Sequence, residues 1–454
     1  MAYYILKSYK LRFQAEEVYD VFNRQANSFF LDSSLNSNAC GNFSFLGYEP
    51  FYILKTKNQS PFKQLRGLLD KYKIPPSKQG VPFFTGAVGY LAYDLGLFSE
   101  DSVRKKDKSD LGIPDCYFAF YNNIAIIDHR RKMMHILATG FPEKNKRLGG
   151  LLAEKNFKKI YKLLSGINPK NAYCKEARPM QGKVEANFTK DAYILAVKRV
   201  KEYIKRGDIY QANLSQQFKT RSDLSAREIY LRLRKASPTQ FSAYLDCGDF
   251  QILSSSPERF LKVQGKRIST MPMKGTASRS HDKQKDQRLR EGLLKSRKDQ
   301  AELLMIVDLE RNDLGRVCSY DSIKVAKLRE LEAYKTVYQT TATVEGRLHA
   351  DKDRIDLLKA AFPGGSVTGC PKIRAMEIIE ELEPHRRSIY TGCLGYLSFC
   401  GGMDFNILIR TILKKGKEVY FAAGGGIVAD SVPIKEYEET IVKSRAMVQV
   451  INAY

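Results

Sequence analysis

A lysine in a short glycine-containing segment is the first residue in the sequence whose setting could support chemistry. Lys274 stands in the segment Pro272-Met273-Lys274-Gly275-Thr276. Glycine lets the backbone turn tightly and lets another molecule approach it. The lysine nitrogen can carry a charge or, when desolvated, act as a nucleophile. A lysine in such a turn is most often simply solvated, so the other motifs must show whether Lys274 takes part in a reaction.

Carboxylates on two predicted helices form the second candidate group. Glu302 lies beside an apolar face, and Glu436, Glu439 and Lys443 recur on one face of the last predicted helix. Two carboxylates from two helices can bind Mg²⁺ and leave positions for water and a substrate carboxylate. The alternative is a solvated stripe with weak pairing along the helix.

Two further charged residues stand next to strand-like runs. Glu258 follows Ser256-Pro257 and is a possible general acid or base, or simply a turn carboxylate. Arg410 lies inside a predicted apolar strand over residues 405–413, where it needs an anionic partner from the protein or from a ligand. Arginine can grip a carboxylate through two hydrogen bonds.

A glycine-rich loop at residues 363–369 could suggest nucleotide binding. Gly364 and Gly369 have the spacing of a phosphate-binding loop, but Cys370 and Pro371 stand where that loop requires Lys and Ser or Thr. This excludes ATP binding at the loop. Its backbone N–H groups could hold another anion before a helix, or the loop could be a tight turn.

Composition indicates a globular protein with a basic surface. The 454 residues include 43% hydrophobic ones, and 75 Lys and Arg against 50 Asp and Glu give a net charge of +25. No apolar run is long enough for a membrane span, and the scattered cysteines predict reduced thiols, no zinc site and a cytoplasmic location. The charge permits nucleic-acid binding, but its short runs and the lack of an RNA-binding motif favour a solvated lysine-rich surface.

The periodicity predicts a mixed protein in three parts. Residues 1–167 form an amino-terminal α/β region, the polar stretch 168–187 is a linker, and 188–454 hold the motifs described above. Ser225 followed by Glu228 predicts a capped helix start.

Five longer motifs give the sequence a family resemblance. It resembles the chorismate-utilising enzymes from about residue 187 to the carboxyl terminus, and the amino-terminal half looks like the family's less distinctive region. The resemblance implies an α+β fold, a large α/β sandwich of two antiparallel β-sheets with outer helices. The motifs are residues 210–214, 255–259, 308–315, 362–384 and 423–430.

The residue at position 274 resembles one branch of that family. Anthranilate synthases carry Ala there, whereas aminodeoxychorismate synthases of the best-studied type carry Lys. The resemblance therefore implies amination of chorismate, with ammonia supplied by a separate glutaminase subunit and with neither nucleic acid nor membrane as a partner. The alternatives are an anthranilate synthase component I and, more remotely, a basic non-catalytic nucleic-acid-binding protein.

The resemblance also implies roles for individual residues. Lys274 would attack the chorismate ring at C2, with Glu258 as general acid and base. Mg²⁺ would be held by Glu302 and Glu439, with Glu436 beside them. The substrate-binding positions would be Gly275, Thr276, Tyr390, Arg410, Gly424, Gly425 and Gly426.

Two further features are judged against the family pattern. Gln339 stands where the family usually has a His, and Gln cannot serve there as proton donor and acceptor; this disfavours pyruvate elimination. A tryptophan pocket, which regulates the anthranilate branch, is implied at Ser33, Ser34, Gln240, Phe241 and Ser242.

Overall fold

Two large antiparallel sheets form the framework of the protein. The computed structural model describes residues 3–35, 41–75, 80–99, 103, 106, 108–167, 183–280, 282–334 and 337–451. The sheets have 12 and 10 strands, and helices cover them, which confirms the predicted fold class. Most of the predicted linker, residues 168–182, lies outside the described residues.

The first sheet contains 12 strands, and its pairings are antiparallel. In spatial order these are β1 (Tyr4–Lys10), β8 (Met133–Thr139), β7 (Asn123–Asp128), β3 (Phe43–Gly47), β2 (Phe29–Asp32), β11 (Phe241–Asp246), β12 (Gln251–Ser256), β21 (Thr411–Lys415), β22 (Glu418–Ile427), β10 (Gln211–Arg221) and β18 (Gly369–Cys370), with β9 (Glu185–Ala186) paired to β10.

The second sheet contains 10 strands, again antiparallel. They are β15 (Met273–Ser278), β17 (Val337–Arg347), β14 (Arg267–Met271), β13 (Arg259–Gln264), β20 (Met403–Ile407), β19 (Cys393–Ser398), β5 (Gly86–Leu91), β6 (Cys116–Tyr121) and β4 (Tyr52–Thr56), with β16 (Lys324–Ala333) paired to β17.

Several helices begin at a residue whose side chain caps them. Ser225 accepts a hydrogen bond from the backbone N–H of Glu228, whose side chain accepts one in return, as predicted. The helices are α1 (Ala15–Phe22), α2 (Phe62–Lys71), α3 (Asp94–Ser99), α4 (Lys146–Ser165), α5 (Lys190–Lys205), α6 (Ala226–Ala236), α7 (Lys283–Lys295), α8 (Arg297–Gly315), α9 (Arg354–Ala361), α10 (Lys372–Leu382) and α11 (Pro433–Ile451), with a 3₁₀ turn at Gly365–Val367.

The main core includes residues of both sheets. Phe45 of β3 contacts Tyr396 of β19 with ring centroids 5.7 Å apart, and both rings are buried. Burial of such apolar surface is the main favourable contribution to folding. Strands from before and after the linker share both sheets, because β2 pairs with β11 and β5 with β19.

Two of the points at which the chain crosses between the sheets lie next to each other. The chain leaves β12 for β13 through Pro257 and Glu258, and it returns from β20 to β21 through residues 408–410. The two crossings are joined by backbone hydrogen bonds of 3.1 Å, from Ile407 N–H to Glu258 O and from Ser255 N–H to Arg410 O. The single strand predicted for residues 405–413 was therefore wrong. Arg410 lies between two strands of different sheets, with a φ of +49°.

In the part of the chain that the structure describes, no helix combines the length and the apolar character needed to cross a bilayer.

Candidate functional site

Lys274 lies on β15, the edge strand of the second sheet. A register shift between Lys274 and Thr276 accommodates Gly275, whose φ of +73° favours glycine. Burial lowers the pKa of Lys274 below its usual value, and the positive charge of Lys443 adds to this, although Glu302 and Glu258 oppose it. The amine is therefore easier to deprotonate than a solvated lysine.

Glu258 is buried where the chain crosses from β12 to β13, with 4% of its surface exposed. The Ser366 hydroxyl donates a 2.6 Å hydrogen bond to its Oε1. Burial raises the pKa of Glu258 to about 7, against the opposing effects of Ser366, the charge of Lys274 and the Met273 N–H. A carboxyl group with such a pKa can give and take protons near neutral pH.

Glycines on β22 leave room beside these groups. A Cβ atom at Gly426 would lie 3.2 Å from Lys274 Nζ and 2.9 Å from Gln211 Nε2. A Cβ atom at Gly425 would lie 3.3 Å from a carboxylate oxygen of Glu436 and of Glu439. The bare backbone therefore separates the lysine from the carboxylates of α11 without filling the space.

The three predicted metal ligands lie near two lysines. Lys443 Nζ is 2.6 Å from Glu439, and Lys298 Nζ is 3.8 Å from Glu302. Burial raises the pKa of Glu302 and of Glu436. Burial has the same effect on Glu439, but Lys443 outweighs it and the pKa of Glu439 is lowered.

The donor chemistry of this cluster suits Mg²⁺, which prefers carboxylate oxygens. The lysine ammonium groups at Glu302 and Glu439 already stand where positive charge is favoured. Among the described residues, however, no three Asp, Glu, His or Cys side chains yet form a metal-binding group. The sequence predicted that two of the carboxylates would bind the ion together with a carboxylate of the substrate.

The remaining predicted substrate-binding residues surround the lysine strand or lie at the second crossing. Thr276 accepts a 3.2 Å hydrogen bond from Gln339 Nε2, while Gln339 Oε1 is buried and has no partner among the described residues. Tyr390 is buried beside Arg387. Within the same part of the chain, Arg410 forms no ion pair, and burial lowers its pKa. The anionic partner that the sequence predicted for Arg410 is therefore not found among the described carboxylates.

Two residues of the site were not assigned by sequence reasoning. Ser366 was included only in a loop expected to act through backbone N–H groups, yet its side chain holds Glu258. Gln211 is fully buried beside Lys274, and neither of its amide atoms has a hydrogen-bond partner in the described structure. Its place in the motif at residues 210–214 was the only available signal.

The predicted tryptophan-pocket residues gather at a cavity of about 210 Å³ between the sheets. Its lining includes Ser33, Gln240, Phe241 and Ser242. Ser34 instead donates a 2.9 Å hydrogen bond to the carbonyl of Thr239, which fixes the neighbouring turn.

Comparison with known proteins now gives the family. A model of the family described as chorismate binding enzyme matches residues 29–449. Aminodeoxychorismate synthase component 1 of Escherichia coli is 39% identical over 389 residues, covering 86% of this chain and 82% of that protein. Anthranilate synthase component 1 of Thermus thermophilus is 38% identical over 390 residues, again covering 86% and 82%. Relatives with either of the two named activities are therefore equally similar to this chain in sequence.

Solved structures agree with the fold. Anthranilate synthase component I from Streptococcus pneumoniae superposes with a TM-score of 0.79 at 30% identity, covering 91% of this chain and 94% of that one. The menaquinone-specific isochorismate synthase from Escherichia coli shares the fold at 18% identity, with a TM-score of 0.77 and coverage of 99% and 95%. With its family motifs gathered around Lys274 and Glu258, the chain belongs to the chorismate-binding enzyme family.

Proposed function

We propose that the chain is an aminodeoxychorismate synthase component I, which converts chorismate and ammonia to 4-amino-4-deoxychorismate and water. The observation that supports this choice most strongly is Lys274, a lysine of lowered pKa beside a general acid. A lysine nucleophile suits a substitution in which both the leaving hydroxyl and the incoming amine are at one carbon, because it divides the reaction into two steps.

In the first step, neutral Lys274 bonds to ring C2 as the C4 hydroxyl departs with a proton from Glu258. The adduct amine then returns a proton to Glu258. In the second step, ammonia bonds to C4 as the C2–nitrogen bond breaks, and the proton of the new ammonium group is returned to the released lysine. The pKa of about 7 at Glu258 suits both directions of proton transfer.

Glu302 and Glu439 would hold Mg²⁺, with Glu436 beside them. When bound, the ion would supply Lewis-acid and electrostatic stabilisation at the ring carboxylate of chorismate. Arg410 would be a second positively charged group that could bind an anion, since the structure gives it no ion pair with any described carboxylate.

The competing activity is that of an anthranilate synthase component I, and equal sequence similarity keeps it as the second candidate. Two positions favour amination without the elimination of pyruvate. Lys274 supplies a nucleophile, and Gln339, hydrogen-bonded to Thr276, replaces the acid–base group that the family resemblance associates with pyruvate elimination. Membership of an enzyme family supports either activity over nucleic-acid binding.

Ammonia would come from a glutaminase subunit, as the name component 1 of the relatives suggests. We place this biosynthetic reaction in the cytoplasm. The cavity between the sheets is the proposed tryptophan pocket, and its open volume of about 210 Å³ is comparable to that of an aromatic amino acid.

Product analysis tests the proposal. The purified chain is incubated with chorismate, Mg²⁺ and ammonium, with and without added aminodeoxychorismate lyase, and the products are identified by mass spectrometry. We expect aminodeoxychorismate alone, and 4-aminobenzoate only when the lyase is present. Anthranilate and pyruvate formed without the lyase would contradict the proposal.

A further inference from the structure

Lys298 occupies a position that helix electrostatics disfavours. It is the second residue of α8, so its positive charge lies at the positive end of the helix dipole. Ser296 already caps this end by accepting a hydrogen bond from Asp299 N–H. Lys298 therefore does not stabilise the start of α8, and the presence of a lysine at this position needs another explanation.

The carboxylate cluster provides that explanation. Lys298 Nζ lies 3.8 Å from Glu302 Oε1 on the next turn of the same helix. Its positive charge also favours the ionised forms of Glu436 and Glu439 on α11. Lys298 thus contacts one of the proposed Mg²⁺ ligands, Glu302, and acts electrostatically on the other two.

The two cluster lysines differ in how firmly they are held. Lys443 lies 2.6 Å from Glu439 and also donates a 2.9 Å hydrogen bond to the carbonyl of Gly424. Lys298 has the longer ion-pair distance, and 52% of its side chain is exposed, against 43% for Lys443. A flexible, half-exposed lysine can withdraw into water at little cost.

We propose that Lys298 is an exchangeable counter-ion that competes with the divalent cation for the carboxylates of Glu302, Glu436 and Glu439. The inference rests on the metal site of the proposed function and adds a determinant of metal affinity. Without metal, the ammonium group offsets the repulsion within the cluster. When the metal enters, the side chain moves out, so the chain binds the ion more weakly than the carboxylates alone would allow.

Binding of Mn²⁺, followed through the electron paramagnetic resonance signal of the free ion, tests this without catalysis. At low ionic strength, Lys298→Met is expected to lower the Kd for Mn²⁺ by about three- to tenfold, since it removes one unit charge a few ångströms from the site. Lys298→Arg should retain the wild-type affinity. Lys295→Met is the matched control, because Lys295 is 80% exposed and pairs with Glu291 outside the cluster.

Each other outcome overturns the proposal in a distinguishable way. If the wild type binds Mn²⁺ and Lys298→Met binds it equally or more weakly, the competition fails and the metal site stands. If Lys295→Met tightens binding as much, the effect is one of net charge alone. If neither wild type nor Lys298→Met binds Mn²⁺, with or without chorismate, both this inference and the proposed metal site fail.

Discussion

The Ser366 hydroxyl donates a 2.6 Å hydrogen bond to Glu258 Oε1, and both residues are buried. This contact connects the glycine-rich loop to the point where the chain crosses from β12 to β13. The hydrogen bond from Ser366 stabilises the ionised carboxylate and so lowers the pKa of Glu258. Burial has the larger, opposite effect and raises this pKa to about 7.

Ser366→Ala is expected to raise the pKa of Glu258 further. Activity that depends on protonated Glu258 falls as pH rises through this pKa, so the falling limb of the kcat profile should move upward by about one pH unit. Loss of orientation should also lower kcat by about tenfold. Ser366→Thr keeps the hydroxyl and serves as control. An alanine variant whose falling limb stays in place would show that Ser366 does not tune Glu258.

Gly426→Ala should impair the site without unfolding the protein. The added Cβ atom would lie 3.2 Å from Lys274 Nζ and 2.9 Å from Gln211 Nε2, so one of these side chains must move. We expect kcat/KM for chorismate to fall by about 100-fold, as for a misplacement of about 1 Å. Gly292→Ala is the control, because a Cβ atom there meets nothing within 4 Å. Equal activity of both variants would contradict the placement of the reacting groups.

Glu302→Gln is expected to remove the Mg²⁺ dependence of the reaction together with nearly all activity. It deletes one of the two negative charges proposed to hold the ion while keeping the size of the side chain. Titration of activity with Mg²⁺ in metal-free buffer measures the effect, and Glu291→Gln, on the exposed surface of α7, is the control. An unchanged Mg²⁺ titration in Glu302→Gln would exclude the assignment.

Glu310→Gln should stabilise the protein at neutral pH. Glu310 is buried, accepts a 2.8 Å hydrogen bond from Thr270, and its pKa is raised well above the usual value, mainly by burial. The unfolded carboxyl is ionised above about pH 4.3, and the raised pKa means that ionisation is less favourable in the folded protein, so this group opposes folding at pH 7. The variant removes this cost and should gain at least about 1 kcal/mol at pH 7.

The sign of that gain is checked by urea unfolding at two pH values. The gain should be present at pH 7 and vanish below about pH 4, where the carboxyl is protonated in both states. A gain that is equal at both pH values would indicate an effect of packing and would contradict a raised pKa at Glu310.

Local sequence signals predicted individual helices and strands but not the points at which the chain passes from one sheet to the other. The start of α6 follows from Ser225 and Glu228 alone, since a capping box needs only four residues. Residues 405–413 read as one strand because their apolar pattern continues across the crossing. Only the two sheets together place residues 408–410 between β20 and β21.

The candidate site depended on contacts that the sequence does not encode locally. The partners Ser366 and Glu258 are 108 residues apart, so a serine in a glycine-rich loop gave no sign of its acceptor. Lys298 has the sequence context of an ordinary surface lysine, and its place near the carboxylates of α11 follows only from the fold. Family motifs identified Lys274 and Glu258, but not the residues that tune them.

The most direct test of the central claim is the mass of the intact protein after incubation with chorismate and Mg²⁺ in the absence of ammonia. We predict an adduct of one chorismate less one water, located on Lys274 by peptide mapping, which disappears when ammonium is added and is absent from Lys274→Ala. Lys274→Ala should also lose amination by about a thousandfold while remaining folded. Full amination by Lys274→Ala, with no adduct on the wild type, would contradict Lys274 as the nucleophile.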